Sequence, residues 1–152
     1  MTPETRLASM GLTLPEIPKP VANYVSFKRN GSTLYLSGQG PRRNDGSVVT
    51  GKVGRDVTVE QAYEHAKLVG LGLLAAAKAA AGDLSKIEVL KVLGMVNAVP
   101  EFTDHPKVIN GCSDLLVAVL GERGRHARSA VGMGSLPMNI SVEIEAVLRI
   151  HD

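Results

Sequence analysis

Arg128 opens the run ARSAVGM, and Glu143 and Glu145 sit two positions apart in VEIEAVLRI. Both runs are otherwise small, β-branched or apolar, which is the composition of strands covered on at least one face. A guanidinium in such a place is costly unless something pairs with it. Its planar fork suits a carboxylate gripped through two parallel hydrogen bonds. One candidate partner is Glu143 or Glu145 of the same chain, in a structural ion pair. The other is the carboxylate of a ligand. Residue types alone leave these two balanced, because structural pairs hold arginines as well as ligands do.

The other reactive side chains imply less. His65, His105, His126 and His151, with Cys112, show no ligand spacing such as HxxxH or CxxC, so no metal site is expected. His65 reads as a helix surface residue. Cys112 reads as a small buried residue in a helix, with no base near it in sequence. GLGLL at 70–74 and GMGSLP at 132–137 contain GxG, yet neither lies between a strand and a helix as a dinucleotide site requires. Arg123 and Arg125 in GERGRHAR read as a solvated connection.

These groups must be positioned by the surrounding elements. Residues 1–20 are expected to be irregular, and LTLPEIPKP at 12–20 extended, since its prolines restrict themselves and their predecessors. ANYVSFKRNG and STLYLSGQG read as two strands around a turn at Asn30-Gly31. RRNDGSVVTGKVG reads as a loop with a short strand at Ser47–Val49. At Thr58 the period changes. TVEQ matches a capping box, and a helix is expected to about Ala81, stopped by Gly82. Ala62, Ala66, Val69, Leu73, Ala76 and Ala80 line one face of it. Gly70 and Gly72 cost about 1 kcal/mol each relative to alanine, which close packing would explain. A covered strand follows at 87–99. A second helix runs over about 106–120, with Thr103 or Asp104 as its N-cap, and strands follow at about 127–133 and 141–150. The order β-β-α-β-α-β-β predicts an α+β fold: a mixed, mostly antiparallel sheet with two helices on one face. In VEIEAVLRI, Val142, Ile144, Ala146 and Leu148 alternate with Glu143, Glu145, Val147 and Arg149. The second face is partly apolar, which predicts a partner subunit.

A chain of 152 residues is expected to form one domain spanning 1–152, burying roughly 70% of its unfolded surface. The 17 basic and 15 acidic residues give a net charge of +2. The aromatics are Tyr24, Phe27, Tyr35, Tyr63 and Phe102. Few stacking platforms and near-neutral charge argue against a nucleic-acid partner. With one cysteine no intrachain disulfide forms, and a reducing compartment is expected. The first twenty residues carry acids, bases and prolines and do not read as a secretory signal. LVGLGLLAAA at 68–77 is too short to span a bilayer. The expected setting is the cytoplasm, with no membrane association.

YVSFKRNGSTLYLSGQGP, AAAG-DLSKIEVLKVLGMVN, VING, ARSAVGMGSLP and VEIEA together resemble the Rid/YjgF family, also called endoribonuclease L-PSP. The resemblance covers about residues 20–150, and ARSxV…LP…VEIEA is its most specific part. It implies a chorismate-mutase-like α+β fold assembled as a homotrimer, with clefts between subunits. The implied activity is hydrolysis of reactive 2-imino acids such as 2-iminopropanoate to 2-keto acids and ammonia, with no cofactor. By this resemblance Arg128 clamps the substrate carboxylate and Glu143 activates water. Tyr24 and Ser37 line the cleft, with Asn110 and the backbone at Gly38 as further lining. Each has an ordinary alternative: a strand aromatic for Tyr24, a strand-end hydrogen bond for Ser37. Glu145 is read as structural.

The chain departs from the family pattern at Ala130, where relatives often carry cysteine, and in PKPVAN before Tyr24. Its loop before Arg128 is longer and more basic. These differences bear on substrate preference and on the deaminase activity itself more than on the fold. The alternative function is a trimer that binds a keto acid or related carboxylate without turnover. Ribonuclease or translation-inhibitor activity is a third, disfavoured by the composition and by the lack of a histidine pair.

Overall fold

The computed structural model describes residues 1–17 and 22–152. The N-terminus departs from the irregular segment expected, because Pro3–Ser9 form a helix, α1. The Thr2 hydroxyl accepts the Thr5 N–H at 3.1 Å, and Pro3 occupies the first turn, where its missing N–H costs nothing. Leu7 anchors the helix in the core, and Glu4 accepts the Leu84 N–H at 3.0 Å. Residues 12–17 carry no regular element, while 18–20 lie outside the described residues.

Strands β1 (Phe27–Asn30) and β2 (Thr33–Gln39) form the hairpin. Asn30 pairs with Thr33, so the loop residues are Gly31 and Ser32, one position later than expected. Gly31 has φ 63°, which glycine adopts without penalty. The strand also starts later, at Phe27. The expected strand at 47–49 is absent. Isolated bridges Arg42–Val48 and Thr50–Ile140 stand in its place.

Helix α2 (Val59–Ala81) begins with the full capping box: Thr58 Oγ accepts the Gln61 N–H, and Gln61 Oε1 accepts the Thr58 N–H. Gly82 ends it at φ 81°. Then come β3 (Ile87–Asn97), α3 (His105–Leu120), β4 (Ala127–Met133) and β5 (Val142–Ile150). Asp104 is the N-cap of α3, with no side-chain capping bond.

The sheet order is β1-β2-β5-β3-β4. Only β3 and β4 pair in parallel, as their connection through α3 requires; the other pairs are antiparallel. This is the mixed sheet expected. Helix α2 packs over β2 and β5, and α3 over β3 and β4. Leu34, Val92, Val96 and Ile144 are fully buried between sheet and helices with Leu73 and Ile109. The helices approach closely because Gly111 lies against the Tyr63 carbonyl, and a Cβ at Gly70 would come within 2.9 Å of Leu115. Gly72 gives room to Gln39, whose Nε2 donates to the Gly72 carbonyl at 3.1 Å. The other sheet face carries Tyr35, Val147, Lys91, Leu93, Glu145 and Glu143 in neighbouring register. No helix among the described residues is long and apolar enough to cross a membrane.

Candidate active site

Arg128 sits on edge strand β4 opposite Val92, whose side chain is buried under α3. Its guanidinium therefore lies on the helical side of the sheet, where Nη1 donates to Asn110 Oδ1 at 2.8 Å and to Ser113 Oγ at 3.1 Å. Both acceptors are neutral. No ion pair to Arg128 occurs among the described residues: neither Glu143 nor Glu145 of the same chain neutralises it. Nη1 has two hydrogens and both are engaged. The edge formed by Nε and Nη2 makes no hydrogen bond among the described residues. It is one of the two edges through which a guanidinium binds a carboxylate bidentately.

Ser113 and His126 belong to this cluster and escaped the sequence reading. His126 Nδ1 lies 2.6 Å from the Gly124 carbonyl, and Nε2 lies 2.9 Å from Ser113 Oγ. Burial pushes the His126 pKa down; the hydrogen bond to Gly124 opposes this, and the Arg128 charge adds to it. Two signals were readable. Asn110 and Ser113 share a helix face at i, i+3, and His126 stands two residues before Arg128.

Glu143 faces the other way. On β5 it pairs with Met95, in a face-sharing row that continues to the exposed Val131 of β4. Its carboxylate lies against Gly38, where a Cβ would approach Glu143 Oε2 to 2.7 Å. Half-buried, it has no hydrogen bond or ion pair among the described residues. Burial raises its pKa above the usual carboxylate value, and the Glu145 charge raises it further. Glu145 itself is exposed.

Tyr24 and Ser37 border one open groove of about 300 Å³ with Phe27, Lys28 and Tyr35. Tyr24 is 51% exposed. The Ser37 hydroxyl donates to the Val25 carbonyl at 2.6 Å and its N–H to the Ser26 carbonyl at 3.0 Å. The strand-end hydrogen bond is thus present, and it holds the segment carrying Tyr24 against β2.

The structure brings Arg128 together with Asn110, Glu143 with Gly38, and Tyr24 with Ser37. It does not bring Arg128 to Glu143 within one chain, because the sheet lies between them. Two other expectations resolve here. His65 is half-buried rather than a surface residue, with Nδ1 2.9 Å from the buried Ser141 hydroxyl. Cys112 is buried as expected, and desolvation pushes its thiol up to about 12, far from a nucleophile's range.

The sequence profile of the family described as "YjgF/chorismate mutase-like, putative endoribonuclease" matches residues 4–147. The crystal structure of a protein of unknown function from Agrobacterium tumefaciens matches with TM-score 0.91 and 53% identity, over 97% of this chain and 92% of that one. Protein TCP17 of Trypanosoma cruzi is 38% identical over 148 residues, 96% of this chain and 92% of its own. A 2-iminobutanoate/2-iminopropanoate deaminase of Dermatophagoides farinae is 29% identical over 141 residues, 92% of this chain and 95% of its own.

Proposed function

The chain belongs to the YjgF/chorismate mutase-like family, and from that premise we propose that it hydrolyses reactive 2-imino acids to 2-keto acids and ammonia. The cleft forms between copies of a homotrimer: one copy supplies Arg128 and Asn110, the next Glu143, Gly38, Tyr24 and Ser37. The observation that carries the reading is the Arg128 guanidinium, held by two neutral acceptors while its Nε–Nη2 edge makes no hydrogen bond among the described residues. An arginine anchored in this way is set to receive an external carboxylate.

The chemistry asks little more. The carbon of a protonated imine is already electrophilic. Arg128 fixes the substrate carboxylate, and Glu143 accepts a proton as water oxygen bonds to C2. The resulting carbinolamine takes that proton back from Glu143 on nitrogen, the C–N bond breaks, and the hydroxyl collapses to the keto group, passing its proton to Glu143 as ammonia leaves. Orientation and base assistance together are the contributions needed, the latter worth roughly 10²- to 10⁴-fold. A carboxylate with a raised pKa is a better proton acceptor than an exposed one. The deaminase name of the Dermatophagoides farinae relative supports this direction.

The experiment is semicarbazide trapping of 2-iminopropanoate generated in place by a serine or cysteine lyase. Wild type is expected to lower the trapped imine; Arg128→Ala and Glu143→Gln, at unchanged oligomer size, are not. Wild type that leaves several imino acids untouched overturns the hydrolase. Arg128-dependent keto-acid binding in that same protein would instead establish a carboxylate-binding trimer.

A further inference from the structure

The proton positions around Arg128 are determined by its neighbours. A carbonyl only accepts, so the 2.6 Å contact from His126 Nδ1 to the Gly124 oxygen places a proton on Nδ1. In the neutral ring Nε2 is then bare. It accepts the Ser113 O–H across 2.9 Å. The Ser113 oxygen is left with lone pairs only towards Arg128, whose Nη1 donates to it at 3.1 Å. With Asn110 as the second acceptor, Nη1 is fully engaged and the guanidinium cannot swing about its Cζ without losing a bond.

We propose that His126 is a positioning residue: its neutral Nδ1–H form, acting through Ser113, holds the Arg128 guanidinium so that its Nε–Nη2 edge receives the substrate carboxylate. The inference rests on the proposed imine chemistry only for the nature of the ligand. It assigns to Ser113 and His126 a part in setting affinity, and it makes carboxylate binding depend on the His126 proton. A protonated ring would donate from Nε2 to Ser113 Oγ. Two cationic donors would then converge on one oxygen, the hydroxyl proton would lose its acceptor, and imidazolium and guanidinium would repel.

The charged groups on the surrounding elements do not relieve this. Arg128 stands on β4. Glu122 and Arg125, around the 3₁₀ turn Gly121–Gly124, pair with each other at 3.2 Å. Asp114 on α3 is bonded to Tyr63 at 2.7 Å. Cys112 on α3 stays neutral. Burial and the Arg128 charge keep His126 neutral at pH 7, so the arrangement is lost only in acid.

The test uses full-length protein in its native oligomer, with pyruvate as the carboxylate probe and 2-iminopropanoate as substrate. Three variants separate the bonds. His126→Asn keeps a donor for Gly124 and removes the acceptor for Ser113. His126→Gln restores an acceptor at the Nε2 position. Ser113→Ala removes the relay. His126→Asn and Ser113→Ala are expected to weaken pyruvate binding and raise KM roughly tenfold, with kcat changed far less, as for loss of a bond to a charged group. His126→Gln should recover most of that loss. Wild-type affinity should fall in acid, below the ordinary histidine range, and that fall should vanish in both His126 variants. Nitrogen NMR of the ligand-free wild type should show a protonated Nδ1 and a bare Nε2 at pH 7.5. An Nε2–H tautomer, or His126→Asn with wild-type affinity and pH profile, overturns the inference. Tight pyruvate binding without turnover sinks the hydrolase and leaves this inference standing, whereas absence of any Arg128-dependent binding sinks both.

Discussion

Arg128 and Glu143 lie on opposite faces of one sheet: Arg128 stands opposite Val92 under α3, and Glu143 lies beside Met95 on the face away from the helices. A chemistry that needs both groups at one substrate therefore needs two copies of the chain. Mixing tests this directly. Arg128→Ala and Glu143→Gln proteins, each inactive alone, should regain activity when unfolded together and refolded. In a trimer every mixed assembly holds one cleft with both wild-type residues, so an equal mixture should recover up to about a quarter of wild-type activity. Sedimentation of the mixture confirms assembly. No recovery from properly assembled mixtures would mean that Arg128 and Glu143 do not act together on one substrate, against the shared cleft.

Gly38 sets the position of the Glu143 carboxylate. Its φ is not in the left-handed region, so alanine fits the backbone, but the new methyl would meet Glu143 Oε2 at 2.7 Å. The carboxylate ends a flexible side chain and can move away cheaply, so stability should change little. Displacing a base by about an ångström costs far more in rate than in stability. Gly38→Ala is expected to lower kcat by roughly tenfold or more, with the urea midpoint nearly unchanged. Both are read on one preparation, and an unaltered kcat would remove Glu143 from the reaction.

Much of this was legible in the chain. The capping box at Thr58, the αL glycine at 82 and the period-two pattern of VEIEAVLRI are local, so helix α2 and strand β5 could be read to within a residue or so. Helix α1 has a start signal in Thr2-Pro3, but at seven residues it is too short to show a helical period, and the prolines at 15, 18 and 20 speak for irregular chain. The hairpin turn slipped by one because Asn30-Gly31 and Gly31-Ser32 both provide a glycine at a tolerated position. The separation of Arg128 from Glu143 was not readable at all. It follows from the register of β4 and β5 on β3, which puts Arg128 on the face of Val92 and Glu143 on the face of Met95, and no local pattern specifies that register. The Ser113–His126 contact likewise exists only because α3 folds back over β4.

Gly111 is where α3 meets α2, and it should be the least replaceable glycine of the helical layer. A methyl there would collide with the Tyr63 carbonyl, a backbone atom that cannot rotate away. Overpacking of this kind costs about 3 kcal/mol, against which alanine's better helix propensity returns about 1 kcal/mol. Gly111→Ala should therefore lose about 2 kcal/mol, the difference of those two terms. Equilibrium urea unfolding measures it. A stabilised variant would mean the helices part without cost.

Glu143 links activity and stability to pH in opposite directions. Its pKa is raised in the folded protein, by burial first and by Glu145 second. Folding therefore favours the protonated form, and the stability this group contributes is present at low pH and lost as pH rises from the ordinary carboxylate value through the raised one. Above that window the ionised carboxylate is a fixed cost. Glu143→Gln removes it, and should stabilise the protein at pH 7 by on the order of 0.5 kcal/mol, a small figure because the group is only half-buried and screened by solvent. Below pH 4 the two proteins should unfold at the same denaturant concentration. Activity runs the other way: kcat for imine hydrolysis should rise with pH as Glu143 ionises, and the variant, folded throughout, should show no such rise. A wild-type profile flat across this range, alongside the predicted stability difference, would show that the carboxylate is desolvated for packing alone and that water attacks the imine without a base from this residue.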